Sequence, residues 1–110
     1  MNDLDIARKM CSKADNAKQR GLEYSLSFAD VKRLMLRKTC FYSKRKFTDV
    51  GGDKRTFDRI DSKLGYTKAN TVACTSSMNK LKNRLLEELD VNLVVVKRMI
   101  KSIEDLGELK

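Results

Sequence analysis

The sequence predicts an α+β fold, on three observations. Apolar residues recur three and four apart near both ends of the 110-residue chain, which is the period of amphipathic helices. The middle mixes aromatic and β-branched residues with a Gly51-Gly52 pair, the composition of short strands and turns. Proline is absent, so glycines and polar clusters mark the breaks between elements. A chain of this length forms one domain with a modest core. We expect a single domain over residues 1–110: N-terminal helices to residue 38, a strand-bearing core over 39–89 and a C-terminal helix over 90–110.

Residues 3–19 set Leu4, Ala7, Met10 or Cys11, Ala14 and Ala17 on one helix face, with Lys9, Lys13 and Arg20 on the outer face. Gly21 is the stop. Ser27, with Asp30 three residues on, is a capping box for a helix from about 28 to 38, whose buried stripe is Phe28, Val31, Leu34 and Met35. The stretch 39–61 predicts short strands or a hairpin about Gly51-Gly52. After Gly65, "TVACT" (71–75) is a strand, and a helix follows from about Ser76 to Leu89 with Leu81, Leu85 and Leu89 in a row. "VNLVVV" (91–96) suits a strand by composition. Leu93, Val96, Ile100 and Ile103 nevertheless continue at helical spacing, so the segment predicts a helix, capped by Asp90.

Charge narrows the function classes. Net charge is +9, and it is uneven: residues 1–84 hold twenty Lys and Arg against nine Asp and Glu, whereas 85–110 hold four against six. The first stretch suits a polyanion, nucleic acid first, because neutralised phosphates release counterions. Cys11, Cys40 and Cys74 are odd in number and lack any C-x-x-C pair, which argues against a disulfide framework. No apolar run approaches the ~20 residues of a membrane span, and the N-terminus lacks a signal-peptide stretch. The expected location is the cytoplasm, that of the host cell for a phage-encoded protein.

One segment carries chemistry. "FDRIDSKLGYTKANTVACTSSMNKLK" (57–82) orders strand, turn, strand and helix, with Asp58, Asn70, Asn79 and Lys82 spaced along it. A divalent ion such as Mg²⁺ takes hard oxygen ligands, which a strand carboxylate (Asp58) and a helix amide carbonyl (Asn79) can supply. Lys82 lies on the same helix face as Asn79 and can reach a phosphate.

On these residues, and on the upstream "SLSFADVKRLMLRKTCFYSKRKF", the stretch from about Ser25 to Arg84 resembles the small HNH endonucleases of bacteriophages, in the ββα-metal (His-Me finger) superfamily. The resemblance covers a little over half the chain and implies that 39–89 is a ββα-metal core. It implies DNA as partner, Asp58 and Asn79 as ligands of Mg²⁺ or Mn²⁺, and Asn70 as the residue that orients the loop. It also assigns Arg59 to the position of the histidine that activates water. Lys9, Lys13, Arg20, Lys44, Arg45, Lys68 and Lys82 are the expected nucleic-acid contacts.

Two departures from that pattern matter. Many members of that family hold a zinc with two C-x-x-C pairs, but the corresponding positions here are Cys40, Ser43, Thr75 and Met78, so no structural zinc is expected. Arg59 stays protonated at any workable pH and cannot accept a proton from water, though it can bind phosphate or stabilise transition-state charge. Asp61 is the nearest substitute base, and metal-bound water is a second route. Tyr42 and Tyr66 can accept a proton or stack on a base, but packing is the favoured role for both. The expected function is HNH-endonuclease-like DNA binding, with cleavage weak or lost. The alternatives are an inactive module of the same fold that binds nucleic acid or a host protein, and an adaptor acting through Val94, Val95 and Met99 of the last helix.

Overall fold

The computed structural model describes residues 2–88 and 92–107. They form an α+β chain of four α-helices and one two-stranded antiparallel sheet. The chain divides into two compact units, Met1–Met78 and Asn79–Lys110. The first unit holds α1 (Asp3–Arg20), α2 (Phe28–Met35), β1 (Arg55–Arg59) and β2 (Thr71–Thr75). Helix α3 (Ser76–Asn83) begins directly after β2 and runs on as a π-helical turn over Arg84–Glu88, and α4 spans Leu93–Asp105.

Local chemistry sets the helix ends. Asn2 and Asp5 make a reciprocal capping box at the start of α1, and Gly21 ends that helix in the left-handed region at φ 68°. Ser27 and Asp30 do the same for α2: the Asp30 amide donates to Ser27 Oγ (3.1 Å) and the Ser27 amide to Asp30 Oδ2 (2.9 Å). Helix α2 stops at Met35, three residues before the expected end, because the chain then turns to bridge Thr39 with Lys46. Arg55 Nη2 donates to the Arg37 carbonyl (2.6 Å), satisfying an acceptor that a longer helix would have used. Helix α4 forms where spacing, not composition, predicts it. Its cap is Asn92, whose Oδ1 accepts from the Val95 amide (3.0 Å); the expected cap Asp90 lies outside the described residues, as does Leu89.

The inward face of α1 differs from expectation. Ile6 and Ala17 are buried, while Leu4 is 57% exposed and Cys11 is exposed. Lys9 and Lys13 share the Ile6–Met10–Ala17 stripe, with their ammonium groups 5.0 and 5.9 Å from the centroid of the buried Phe57 ring. They are therefore half-buried flanking residues, not members of an outer face. Lysine stems cover apolar surface well, so a stripe containing lysines can still pack inward.

The strand pairing also differs from a hairpin about Gly51-Gly52. Those glycines lie in a 3₁₀ turn (Gly51–Asp53), and the 39–54 segment forms only single bridges, Thr39 with Lys46 and Thr48 with Lys54. Strand β1 instead pairs with β2 across the 60–70 loop, in the register Phe57↔Ala73 and Asp58↔Val72. Phe57 and Ala73 share the face that meets Ile6, Ala17, Leu26, Val31, Leu34 and Tyr66 in the core. Burying a ring such as Phe57 stabilises the unit by about 2–3 kcal/mol.

Candidate functional site

The loop joining β1 to β2 is held from inside by one asparagine. Asn70 is buried, and its Oδ1 accepts from the Asp61 amide (2.9 Å). Its Nδ2 donates to the carbonyls of Asp61 (3.1 Å) and Gly65 (2.9 Å). One side chain thus satisfies three backbone groups that a turn away from both strands would leave unpaired. Gly65 sits where a Cβ would overlap the Glu23 carbonyl, and this close approach lets Tyr66 bridge to the 23–25 segment (Tyr66 N to Glu23 O, 2.8 Å; Ser25 N to Tyr66 O, 3.0 Å). Tyr66 is buried in the core.

Arg59 contributes to the same loop. Its Nη1 donates to the Ser62 carbonyl and to the Leu64 carbonyl (3.0 Å), and its guanidinium lies 5.5 Å from the Tyr66 ring centroid. Asp61 is exposed, and its Oδ1 accepts from the Lys63 amide (2.9 Å), an Asx-type turn. Both side chains at the positions expected for catalysis therefore also stabilise the loop.

Asp58 takes the other face of β1. Successive strand residues alternate sides, so Phe57 and Arg59 face the core and Tyr66, while Asp58 faces away. Its carboxylate is buried, and Oδ2 accepts a 2.6 Å hydrogen bond from the Tyr42 hydroxyl. Burial, and then the Asp58 carboxylate, hold the Tyr42 phenol well above the ordinary tyrosine range, so Tyr42 is a donor here and not a proton acceptor. Packing alone does not describe Tyr42.

The four positions Cys40, Ser43, Thr75 and Met78 converge through hydrogen bonds. Cys40 is fully buried, and its Sγ accepts from the amides of Ser43 (3.4 Å) and Thr75 (3.3 Å). Thr75 Oγ1 in turn accepts from the Met78 amide (3.3 Å). Burial pushes the Cys40 thiol up, but the hydrogen bonds from Ser43, Thr75 and Tyr42 outweigh it and bring the thiol down to about 7. These bonds dock the 40–43 turn, and hence Tyr42, against the end of β2.

The basic residues fall into distinct settings. Burial, followed by Lys54 and Arg55, lowers the Lys9 ammonium below the usual lysine range. Burial, followed by Lys9, Arg20 and Arg59, does the same for Lys13. These mutually repelling cations gather at the α1–β1 edge, a positive field that favours an anion. Arg45 is committed to Asp53 by two bonds (Nε to Oδ1, 3.0 Å; Nη2 to Oδ2, 2.9 Å). Lys44 and Lys68 border a cleft of about 650 Å³ between α2, the 39–44 segment, β2 and the 60–69 loop. Arg33 on α2 and Arg37, just beyond its C-terminal end, line it too. Asn79 and Lys82 lie on α3 in the second unit, three residues apart on one helix. Among the described residues no three His, Cys, Asp or Glu side chains gather as a metal cluster.

Comparison with known proteins gives one informative likeness. The chain is 31% identical over 86 residues to an "Uncharacterized 29.0 kDa protein in dda-modA intergenic region" of Enterobacteria phage T4, a stretch covering 76% of this chain and 35% of that protein. The chain therefore spans about a third of the length of this curated relative, and the likeness suggests a bacteriophage origin. No family model and no solved structure matches the chain. Among the described residues no helix is long and apolar enough to cross a membrane.

Proposed function

We propose that the chain is an HNH-endonuclease-like, phage-type protein that binds DNA through its basic surface and cleaves it, in the presence of a divalent cation, slowly. The observation that supports this most is the order β1–loop–β2–α3, with a buried carboxylate on β1 (Asp58) and a loop closed by the three hydrogen bonds of Asn70. That is the arrangement which the resemblance to the ββα-metal superfamily implies for these residues.

Asp58 is the carboxylate ligand in this proposal, and the resemblance adds Asn79 as a second oxygen donor. Such a donor set suits Mg²⁺ or Mn²⁺, which commonly bind through one or two carboxylates, water and substrate phosphate. When bound, the cation neutralises phosphate charge and makes coordinated water more acidic. The protein's part is to position: Tyr42 orients the Asp58 carboxylate, Asn70 shapes the loop, and the lysines hold the phosphate backbone. Slowness follows from proton transfer. A guanidinium side chain is no general base and Tyr42 keeps its proton, so general-base assistance, typically worth ~10² to 10⁴ in rate, has no acceptor at those positions.

The test is a supercoiled plasmid incubated with protein and Mn²⁺, alongside a band shift at 50 and 200 mM salt. Expected are salt-sensitive binding, with a log–log slope of roughly −0.9 per phosphate contact, and slow nicking that Asp58→Ala abolishes. A shift without nicking selects the inactive binding module, and absence of any shift removes DNA as the partner.

A further inference from the structure

The cleft beside β2 is built unlike a duplex-binding surface. Its lining includes the cations Arg33, Arg37, Lys44 and Lys68 and no carboxylate, while Phe41 and Ile60 present apolar surface within it. Phe41 is 49% exposed and Ile60 41% exposed. Phe41 is held from behind: Tyr42 meets it edge-on, with centroids 5.2 Å apart, and its backbone amide donates to Ala73 O (2.9 Å). Lys44, in the left-handed region at φ 64°, brings its ammonium 5.4 Å from the Phe41 centroid. Thr71 lines the same cleft with a buried hydroxyl that has no hydrogen-bond partner among the described residues.

A fixed, half-exposed aromatic ring beside one lysine, in a cleft lined by further cations, is the chemistry of an unpaired nucleotide. The base stacks on the aromatic face, the flanking phosphates meet the cations, and stacking tolerates any base. A volume of about 650 Å³ is that of a small-ligand pocket, too small to seat a duplex. Arg33 is partly engaged by Asp30 (3.6 Å), whose carboxyl Lys68 also helps to hold low, whereas no ion pair within 4 Å joins Arg37, Lys44 or Lys68 to a carboxylate among the described residues. The charge is therefore available to a ligand.

We propose that this cleft takes an unpaired nucleotide of single-stranded DNA, with its base on Phe41 and its phosphates between Lys44, Lys68 and Arg37. This rests on the DNA-binding reading above and specifies which form of DNA is held. Its consequence is that the protein favours single-stranded or locally opened DNA over intact duplex.

The experiment is fluorescence anisotropy of the full chain with labelled oligo-dT, a duplex of equal length and oligo-rU, at 100 mM salt. Expected is at least tenfold tighter binding of oligo-dT than of the duplex, and no tighter binding of oligo-rU than of oligo-dT. Phe41→Ala should weaken oligo-dT binding by roughly tenfold, within what one base–aromatic stack contributes. Phe41→Tyr should restore it, which a purely structural role for the exposed ring would not require. Lys68→Ala should reduce the salt slope by about one. Equal or tighter binding of duplex, or tighter binding of oligo-rU than of oligo-dT, overturns the proposal, as does oligo-dT affinity within twofold of wild type in Phe41→Ala. In the first and last of these cases salt-sensitive DNA binding persists and the DNA-binding reading survives. If no DNA of either form binds, that reading falls as well.

Discussion

Arg59 is where two accounts of this protein part, and Arg59→Met separates them. As a phosphate ligand, Arg59 would contribute to DNA affinity and little to stability. As the holder of the 60–65 loop, it would do the reverse. Its Nη1 donates to the carbonyls of Ser62 and Leu64, and hydrogen bonds to charged groups contribute about 1.5–3 kcal/mol each. Arg59 is half-buried, so the lower end applies, about 3 kcal/mol for the pair. The guanidinium near Tyr66 adds about 0.5–1 kcal/mol. Against this, removing the charge relieves repulsion with Lys13, whose ammonium Arg59 helps to lower, and solvent screening keeps that gain to a few tenths of a kcal/mol, on the order of an exposed pair. The net expected loss is about 3 kcal/mol, a fall in melting temperature of at least about 12 °C for a unit of this size.

Tyr24, Tyr42 and Tyr66 all lie in the Met1–Met78 unit, so near-ultraviolet tyrosine circular dichroism reports the melting of that unit. The same variant is then titrated with DNA at a temperature where it is folded, and its salt slope should match wild type. A stability loss under about 1 kcal/mol, within the ordinary range of surface substitutions, together with a slope reduced by one, would refute the reasoning and return Arg59 to the phosphate.

Two further outcomes follow from local geometry. Gly65→Ala sets a methyl against the Glu23 carbonyl and strains the Tyr66–Glu23 and Tyr66–Ser25 bonds, so it should cost at least about 2 kcal/mol in urea unfolding; a variant as stable as wild type would mean that this bridge does not form. The Cys40 thiol, at about 7 in the folded chain against an ordinary value near 9, gives stability that is full above pH 9 and lost as pH falls through 7. Wild type should therefore unfold at a higher urea midpoint at pH 9 than at pH 6. Cys40→Ser, which keeps an acceptor but does not titrate there, should flatten that difference, and a wild-type midpoint independent of pH would remove the thiolate from the account.

Sequence alone determined what short-range physics determines. The Ser27–Asp30 box, the Gly21 stop and the helical spacing of Leu93, Val96, Ile100 and Ile103 each act within a few residues, so the α-helices and the strand 71–75 were legible without coordinates. So was the α+β class. Tertiary structure decided what depends on a distant partner. The inward face of α1 is set by Phe57, some fifty residues on, over which the Lys9 and Lys13 stems pack; apolar counting along the helix favoured Leu4 instead. The strand–turn–strand order of 57–82 was legible and β1 does pair with β2, but only the folded chain shows that Asn70 closes the loop between them and that the Gly51-Gly52 pair makes a local 3₁₀ turn instead of a hairpin. Arg59 could be named from its position, but carbonyls three and five residues away, presented by a folded loop, decide what its guanidinium holds. Cys40 receives donors from Thr75, thirty-five residues along the chain, and Asp58 receives its donor from Tyr42. Hydrogen bonds and ring contacts need a direction as well as a residue type. A linear pattern carries the type, and only the packed backbone supplies the direction.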